Sequence, residues 1–129
     1  MEDKIEIRRE VRRRIKELDP RVRTTASEEI FTKIEQKDHF RQAGCIALFV
    51  AMHDEVATEY ALHRWSEMGK RIVVPRVEGD IMRFYDYSPD AMQEGAFGIM
   101  EPTSNDEVTA ENIDLIVVPA RAFTLSGIR

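Results

Sequence analysis

An internal disulfide bond is excluded by composition, because the 129-residue sequence contains one cysteine, Cys45. Cys45 lies inside an apolar run, where a buried and reduced thiol is expected. The sequence also lacks the roughly 20 consecutive apolar residues of a membrane-spanning helix. Its first residues are charged, which is not the pattern of a secretory signal peptide. Together these absences predict a cytoplasmic protein with no membrane partner.

Familiar catalytic and nucleotide-binding motifs are missing as well. None of the patterns G-x-x-x-x-G-K-[ST], G-x-G-x-x-G and G-x-S-x-G occurs in the chain. The residue types that most often hold transition metals show no metal-ligand spacing; they are Cys45, His39, His53 and His63. The net charge of -5 argues against nonspecific binding to nucleic acid. We therefore expect no metal ligand set among these residues and no nucleic-acid partner.

The chain is instead organised around a buried strand and the turn that follows it. Residues 45–52 are apolar without alternation, which is typical of a strand buried on both faces of a sheet. Polar residues follow abruptly at His53, Asp54 and Glu55, and a helical pattern begins near Thr58. Ligands of open α/β sheets bind beyond the carboxyl ends of strands, so Glu55 is a candidate ligand-binding acid. The alternative is a solvated acid whose charge favours the start of the next helix.

The first predicted helix, residues 2–18, carries cations on more than one face. Its apolar residues recur at helical spacing and form one stripe: Ile7, Val11, Ile15 and Leu18. At about 100° per residue, Lys4 projects within that stripe and Arg8 at its margin. A cation carried towards a core needs an anion. That anion is either an acidic side chain of the fold or a phosphate or carboxylate of a ligand.

Two more helices are predicted on the chain's capping residues. Asp19-Pro20 marks a helix start, and that helix should run to about Gln36. Its expected buried residues are Val22, Ala26, Ile30 and Ile34. The third helix, residues 58–68, should end at Gly69. Its expected inner residues are Tyr60, Ala61, Trp65 and Met68.

The remaining strands predict an α/β fold with three αβα layers and a mostly parallel sheet. One strand lies within residues 70–77, with Pro75 at its carboxyl end. A tight turn at 78–80 leads into a strand at 81–85, and a short helix is predicted from Ser88-Pro89 to near Gly95. Residues 97–102 read as irregular, 103–112 as a polar loop and 113–118 as a strand. The sequence stops shortly after that strand, so we interpret residues 1–129 as a single α/β domain lacking its C-terminal part.

Five segments, in order, resemble the 5-formyltetrahydrofolate cyclo-ligase (methenyltetrahydrofolate synthetase) family. They are K-I-E-I-R at 4–8, F-V-A-M-H-D-E-V-A-T at 49–58, G-K-R-I-V-V-P-R-V at 69–77, F-G-I-M-E-P at 97–102 and I-D-L-I-V-V-P-A-R-A-F at 113–123. Each segment is moderately specific, and together they cover nearly the whole chain. Two positions depart from the family pattern: Ala120 stands where glycine is usual, and Thr124 where aspartate is usual.

The resemblance implies an ATP- and Mg²⁺-dependent ligase of folate metabolism that converts 5-formyltetrahydrofolate to 5,10-methenyltetrahydrofolate, ADP and phosphate. The implied ATP-binding residues are Lys4, Arg8 and Arg129, of which Arg8 and Arg129 would also stabilise charge during the reaction. The implied folate-binding residues are Arg8, Val50, Glu55, Phe97, Ile99 and Pro102. Arg129 would open the family's glycine-rich ATP loop, whose glycines and magnesium-binding aspartate follow in the family pattern. No magnesium ligand falls within the sequence, and a monomer is expected.

Phosphorylation of a formyl oxygen needs positioning and charge neutralisation more than covalent help from side chains. A carboxylate can grip the N–H groups of a pterin ring, so Glu55 is interpreted as an orienting residue and not as a general base. Two other classes of function are kept as alternatives. One is a folate- or nucleotide-binding module without turnover, and the other is a sugar-phosphate sensor or isomerase on a similar scaffold.

Overall fold

The computed structural model describes residues 3–129, which build a four-stranded, mainly parallel sheet in the order β3-β2-β1-β6. The central strand β1, Cys45–Ala47, pairs in parallel with β2, Arg71–Glu78, and with β6, Leu115–Ile116. Strand β3, Ile81–Asp86, follows β2 through a turn at Gly79 and pairs antiparallel to it. The predicted mixed α/β class with a mostly parallel sheet is confirmed.

Four helices accompany the sheet: α1 Lys4–Lys16, α2 Pro20–Glu35, α3 Asp38–Gln42 and α4 Glu59–Glu67. The start of α2 is as predicted, because the Asp19 carboxylate accepts a hydrogen bond from the Arg21 amide and Pro20 opens the helix. The chain leaves α4 through Gly69, whose φ of 86° suits glycine. Among residues 3–129, no helix is both long and apolar enough to cross a membrane.

The main core lies between the sheet and helices α2, α3 and α4. Trp65 is completely buried there, with its ring centroid 5.5 Å from that of Phe31 and 4.7 Å from that of Phe40. These rings cover Ile46 and Val74 of the sheet. Burying such aromatic rings contributes roughly 1.5–3 kcal/mol each, so this cluster anchors the helices to the strands.

The prediction for the inner face of α2 was wrong for Val22, Ala26 and Ile30, which are exposed, whereas Ile34 packs against the core as expected. Val22 is 53% exposed and Ile30 is 44% exposed, whereas Ser27 and Phe31 are buried. The helix is rotated so that polar residues of its inner face reach the turn after β1, as described below. The prediction for α4 holds for Ala61 and Trp65 and fails for Tyr60 and Met68, which lie at the solvent edge, because Leu62 completes the buried face.

The opposite face of the sheet is covered by the loop that precedes β6. Val108 packs on Cys45, Ala47 and Val73, and its amide donates to the Phe84 carbonyl at 2.9 Å. This loop includes a single 3-10 turn, Ala110–Asn112. The predicted polar loop and the predicted burial of Cys45 are therefore both confirmed, and the packing of one on the other is seen only in the structure.

Two further strand predictions need correction. Strand β2 does not end at Pro75; it continues to Glu78 because β1 has already ended and the remaining partner is β3, with Pro75 opposite Phe84. The helix predicted from Ser88-Pro89 is a turn followed by strand β4, Met92–Glu94, which pairs antiparallel with β5, Met100–Pro102. The segment predicted as irregular thus contains one 3-10 turn, Ala96–Gly98, and one short strand.

Candidate functional site

The turn that follows β1 lies at the carboxyl ends of the parallel strands β1 and β6, where α/β proteins bind ligands. Val50, at its start, is half-buried against the helix-side core. The Thr58 hydroxyl accepts a hydrogen bond from the Ala51 amide at 3.0 Å and so closes the loop before α4 begins. This segment, residues 51–58, is called the β1 turn below.

Glu55 lies in the β1 turn and is half-buried. Its Oε1 accepts a hydrogen bond from the Met52 amide at 2.8 Å, and its own amide donates to the Met52 carbonyl at 3.1 Å. Within the described chain, Oε2 accepts no hydrogen bond. The carboxylate is thus fixed by one oxygen while the other can receive a donor from a ligand.

Helix α2 holds the β1 turn from one side. The Arg23 guanidinium donates to the Glu55 carbonyl at 2.6 Å and to the Met52 carbonyl at 2.8 Å. The Ser27 hydroxyl accepts from the Ala57 amide at 2.8 Å and donates to the Arg23 carbonyl at 2.7 Å. These bonds satisfy backbone groups that a turn would otherwise leave without partners. They also explain why a serine occupies the buried face of α2.

Asp54 is the buried acid of the turn, with 8% of its surface exposed. Arg121, which follows β6, donates to the Asp54 carbonyl at 2.7 Å and to its Oδ2 at 2.8 Å. The other oxygen, Oδ1, is buried and has no hydrogen-bond partner among residues 3–129. Burial raises the pKa of Asp54, but the hydrogen bond and charge of Arg121 outweigh this effect and hold that pKa below its usual value.

The two cations predicted on α1 are both exposed. A groove of about 280 Å³ on this helix is lined by Ile5, Arg8, Arg9 and Arg12. The ion pairs found on α1 stay within the Glu10–Glu17 stretch, such as Arg13 with Glu10 at 2.6 Å. No acidic partner for Lys4 or Arg8 occurs among residues 3–129. Of the two interpretations given for these cations, the acidic partner within the fold is therefore not observed in that part of the chain.

The turn between β4 and β5 carries the predicted Phe97. Its backbone has φ 59° and ψ 22°, a left-handed conformation that is uncommon for a bulky residue, and its side chain is 88% exposed. Ile99 is half-buried beside it. Pro102 is fully buried by the protein itself and therefore supports the turn from below. An exposed ring held in a strained conformation is a common feature of ligand-binding loops.

A buried acid and a stacked arginine attach β5 to β2. Glu101, 8% exposed, accepts a hydrogen bond from the Val77 amide at 2.8 Å. Arg76 lies 3.7 Å above the Tyr85 ring and donates to the Pro102 carbonyl at 2.9 Å. A Cβ placed on Gly95 would come within 2.0 Å of the Glu101 carboxylate, so glycine is needed for this close approach. The turn at residues 95–99 between β4 and β5, called the Phe97 turn, is thus held against the main sheet through β5.

The predicted residues fall into separate groups. The β1 turn, which contains Glu55 and directly follows Val50, is joined to the segment after β6 through Arg121. The Phe97 turn is joined to β2. No hydrogen bond or ion pair in residues 3–129 connects Glu55 with Lys4, Arg8 or the Phe97 turn. Arg129 is exposed and follows a closed turn in which the Thr124 amide donates to the Ile128 carbonyl at 2.9 Å.

Three residues of the site were missed by the sequence reasoning: Arg23, Asp54 and Arg121. Asp54 received no role from its position after the strand, although it is more buried than Glu55. One signal was available for Arg121, because a cation in the otherwise apolar run P-A-R-A-F needs an anion near a strand end. Arg23 had no comparable signal, because its partners are backbone carbonyls 29 and 32 residues away.

These features define the class of protein: an α/β domain with a turn at the carboxyl ends of its parallel strands, the position at which such domains bind ligands. The model of the 5-formyltetrahydrofolate cyclo-ligase family matches residues 1–129, and the chain belongs to that family.

Similar proteins agree with the family assignment. The chain is 26% identical over 113 residues to a probable 5-formyltetrahydrofolate cyclo-ligase of Caenorhabditis elegans, a match covering 80% of this chain and 55% of the relative. It superposes with a TM-score of 0.81 on the 5,10-methenyltetrahydrofolate synthetase of Aquifex aeolicus, at 31% identity, covering 93% of this chain and 62% of that one. The corresponding synthetase of Mycoplasma pneumoniae, 19% identical with a TM-score of 0.69, shows the same fold over 95% of this chain and 66% of its own. The chain therefore spans less than two thirds of the length of these relatives.

Proposed function

We propose that the protein catalyses ATP-dependent cyclisation of 5-formyltetrahydrofolate to 5,10-methenyltetrahydrofolate. The observation that carries this proposal is the family match, which extends over residues 1–129. The geometry of Glu55 supports it, since this acid lies at the carboxyl end of β1 with one oxygen uncommitted in the described chain. We further propose that the enzyme is cytoplasmic and monomeric.

The reaction proceeds by activation of the formyl oxygen. This oxygen attacks the γ-phosphorus of ATP, the bond to the bridging oxygen breaks, and ADP leaves. N10 then attacks the formyl carbon, and the former formyl oxygen departs as inorganic phosphate with N10's proton released to solvent. Both steps depend on positioning and on neutralisation of phosphate charge.

In this proposal the chain's own residues supply those two effects. Glu55 accepts hydrogen bonds from the pterin and orients the formyl group, Val50 lines the site, and Phe97 and Ile99 wall the ring. Lys4, Arg8 and Arg129 neutralise the phosphates, and Arg8 also lies near the folate. All three cations are exposed and therefore accessible to a ligand. Pro102 acts by supporting the Phe97 turn from the core.

The part of the chain that the structure describes offers no obvious set of magnesium ligands. Among residues 3–129, no group of three or more histidine, cysteine, aspartate or glutamate side chains lies together. Magnesium commonly keeps several waters and binds through substrate phosphates. We therefore propose that Mg²⁺ arrives with ATP.

The experiment follows the absorbance of the methenyl product with 5-formyltetrahydrofolate and ATP, with and without Mg²⁺. ATP-dependent product is expected. Glu55→Ala should raise the KM for the folate by about 100-fold, since a charge-assisted hydrogen bond is worth about 1.5–3 kcal/mol and the turn loses its internal bond as well. ATP binding should change little. Glu111→Ala, an exposed acid on the 110–112 turn, is the matched control.

Two results would contradict the proposal. Absence of product from the natural polypeptide with ATP and Mg²⁺ would exclude the reaction. Unchanged folate affinity in Glu55→Ala would remove the orienting role while leaving the reaction in place.

One observation favours a second candidate, a folate- or nucleotide-binding module without turnover. The chain spans 55% of the curated relative's length and 62% of the Aquifex aeolicus chain, so the relatives contain residues with no counterpart in these 129 positions. In contrast, for the first candidate, the enzyme, we propose that residues 1–129 form one part of a longer cyclo-ligase domain. The intact mass of the natural polypeptide tests this, since a mass well above 15.0 kDa supports the longer enzyme and a mass near it supports the binding module.

A further inference from the structure

We propose that Arg121 is a positioning residue, which fixes the β1 turn and Glu55 against the segment that leads to Arg129. The inference rests on the proposed function, because Glu55 and Arg129 are its folate and ATP residues. Neither the motifs nor the resemblance assigned any role to Arg121 or to Asp54.

The contact itself is specific. One guanidinium donates through Nη1 to the Asp54 carbonyl at 2.7 Å and through Nη2 to the Asp54 carboxylate at 2.8 Å. The arginine side chain is 22% exposed and the aspartate side chain 11% exposed, so the pair is largely removed from water. A planar guanidinium fixes both distance and orientation, which a point charge does not.

Asp54 depends on this partner. Its Oδ1 is buried and accepts no hydrogen bond among residues 3–129, so Arg121 supplies the compensating charge seen in the described chain. A buried carboxylate that loses its partner is strongly unfavourable. The β1 turn would then rearrange to bring Asp54 to water.

Such a rearrangement would reach Glu55 directly. Glu55 is the next residue along the chain, and its carboxylate is held through the Met52 amide of the same turn. Arg23 holds that turn from α2, whereas Arg121 holds it from a segment only eight positions before Arg129. The arginine thereby ties the proposed folate acid to the segment that carries the proposed phosphate residue.

The test compares Arg121→Met, which keeps an unbranched apolar stem and removes all donors, with Arg121→Lys, which keeps charge but not the planar fork. Both are made in the natural full-length polypeptide. Arg41→Met is the matched control, because Arg41 is exposed and pairs with Asp38 on α3 at 3.6 Å. Initial rates are measured against folate concentration and, separately, against ATP concentration.

We expect Arg121→Met to raise the KM for 5-formyltetrahydrofolate by about tenfold or more, since small misplacements of positioned groups carry costs of that order. The kcat at saturating folate should change much less, and Arg121→Lys should recover part of the loss. A purely structural role would instead reduce the active fraction, and hence kcat, at constant KM. That pattern, or an unchanged folate KM in Arg121→Met, would overturn the proposal.

Folding of the variants is checked by circular dichroism. If Arg121→Met does not fold, Arg121→Lys decides alone, and a folded lysine variant with wild-type folate KM refutes the positioning role. Failure of the proposed function is a different outcome, because then the wild-type polypeptide itself gives no ATP-dependent methenyl product.

Discussion

Replacement of Phe97 by glycine should increase stability while it weakens folate binding. The left-handed conformation at φ 59° costs a residue with a Cβ about 1–2 kcal/mol, and glycine removes this cost. Glycine also raises the conformational entropy of the unfolded chain, which lowers the free energy of unfolding by about 0.4–1 kcal/mol. The ring is 88% exposed, so little buried surface is lost. The free energy of unfolding should therefore rise by up to about 1.5 kcal/mol, with a central value of about 0.8 kcal/mol, since relief of strain contributes about 1–2 kcal/mol and the entropy of the unfolded chain opposes it by about 0.4–1 kcal/mol.

The functional effect has the opposite sign. If Phe97 stacks against the pterin, loss of the ring removes about 0.5–1.5 kcal/mol of aromatic contact. That range corresponds to a roughly 2- to 10-fold rise in the KM for folate. Phe97→Ala is the matched control, because alanine also lacks the ring but keeps the Cβ. Alanine should show the same rise in KM without the gain in stability.

Urea unfolding monitored by circular dichroism gives the stability of each variant, and the methenyl absorbance assay gives the KM. A glycine variant less stable than wild type by more than about 1 kcal/mol would show that the ring is packed and the backbone unstrained. A wild-type folate KM in both variants would show that the ring does not contact the substrate. Either result would refute the corresponding half of the reasoning.

Three other perturbations test the architecture around the site. Gly95→Ala should destabilise the protein by about 2–4 kcal/mol by displacing the Glu101 carboxylate from the Val77 amide, and urea unfolding should show that the same substitution costs much less in a Glu101→Ala background, where no carboxylate is left to displace. Trp65→Ala should cost about 3–5 kcal/mol in the same assay, because the fully buried ring leaves a cavity. The pKa of Asp54 is lowered from 3.8, so its ionised form contributes stability above that pH and loses it as pH falls through the folded-state pKa. The difference in free energy of unfolding between wild type and Asp54→Asn should accordingly be constant from pH 7 to about pH 5 and shrink below about pH 4. If this difference did not shrink at low pH, the ion pair would not be its source.

The parts of the fold that sequence predicted correctly are set by local chemistry. Asp19-Pro20 starts a helix because the carboxylate caps a free amide and the ring presets φ. Gly69 ends one because it accepts a positive φ. The strands followed from apolar runs, and their mostly parallel arrangement followed from the interleaving of strands with helices. None of these inferences requires knowledge of a distant partner.

The wrong predictions concern segments whose structure depends on contacts with residues far away in the chain. Residues 89–95 have a plausible helix start, yet backbone pairing with β5 and the close approach of Gly95 to Glu101 produce a strand. The apolar spacing of α2 favoured Val22 and Ile30 as inner residues, but bonds from α2 to the β1 turn rotate the helix. Hydrophobic periodicity describes a helix facing an apolar surface, and this face of α2 meets backbone carbonyls.

The same distinction applies to the candidate site. The position of Glu55 in the turn after β1 could be predicted, because an acid that closely follows a buried strand lies at the edge of an α/β sheet where ligands bind; its role in binding stays a prediction. Arg23 and Arg121 could not be assigned, because their partners in the β1 turn are 29 to 67 residues away in the chain. Family resemblance names residues that contact ligands, whereas residues that hold those contacts in place become visible only with coordinates.

The way the β1 turn is held also determines which of its positions can vary. Three of the four hydrogen bonds from Arg23 and Arg121 end on backbone carbonyls, which every residue possesses. Substitution of the exposed His53 or Val56 therefore leaves those acceptors in place, and the orientation of Glu55 should survive it. Loss of either arginine instead leaves two acceptors without their donors at once. Sensitivity in this site should consequently lie in the two donors outside the turn and in Asp54, Glu55 and Thr58 within it, and not in the turn's exposed side chains.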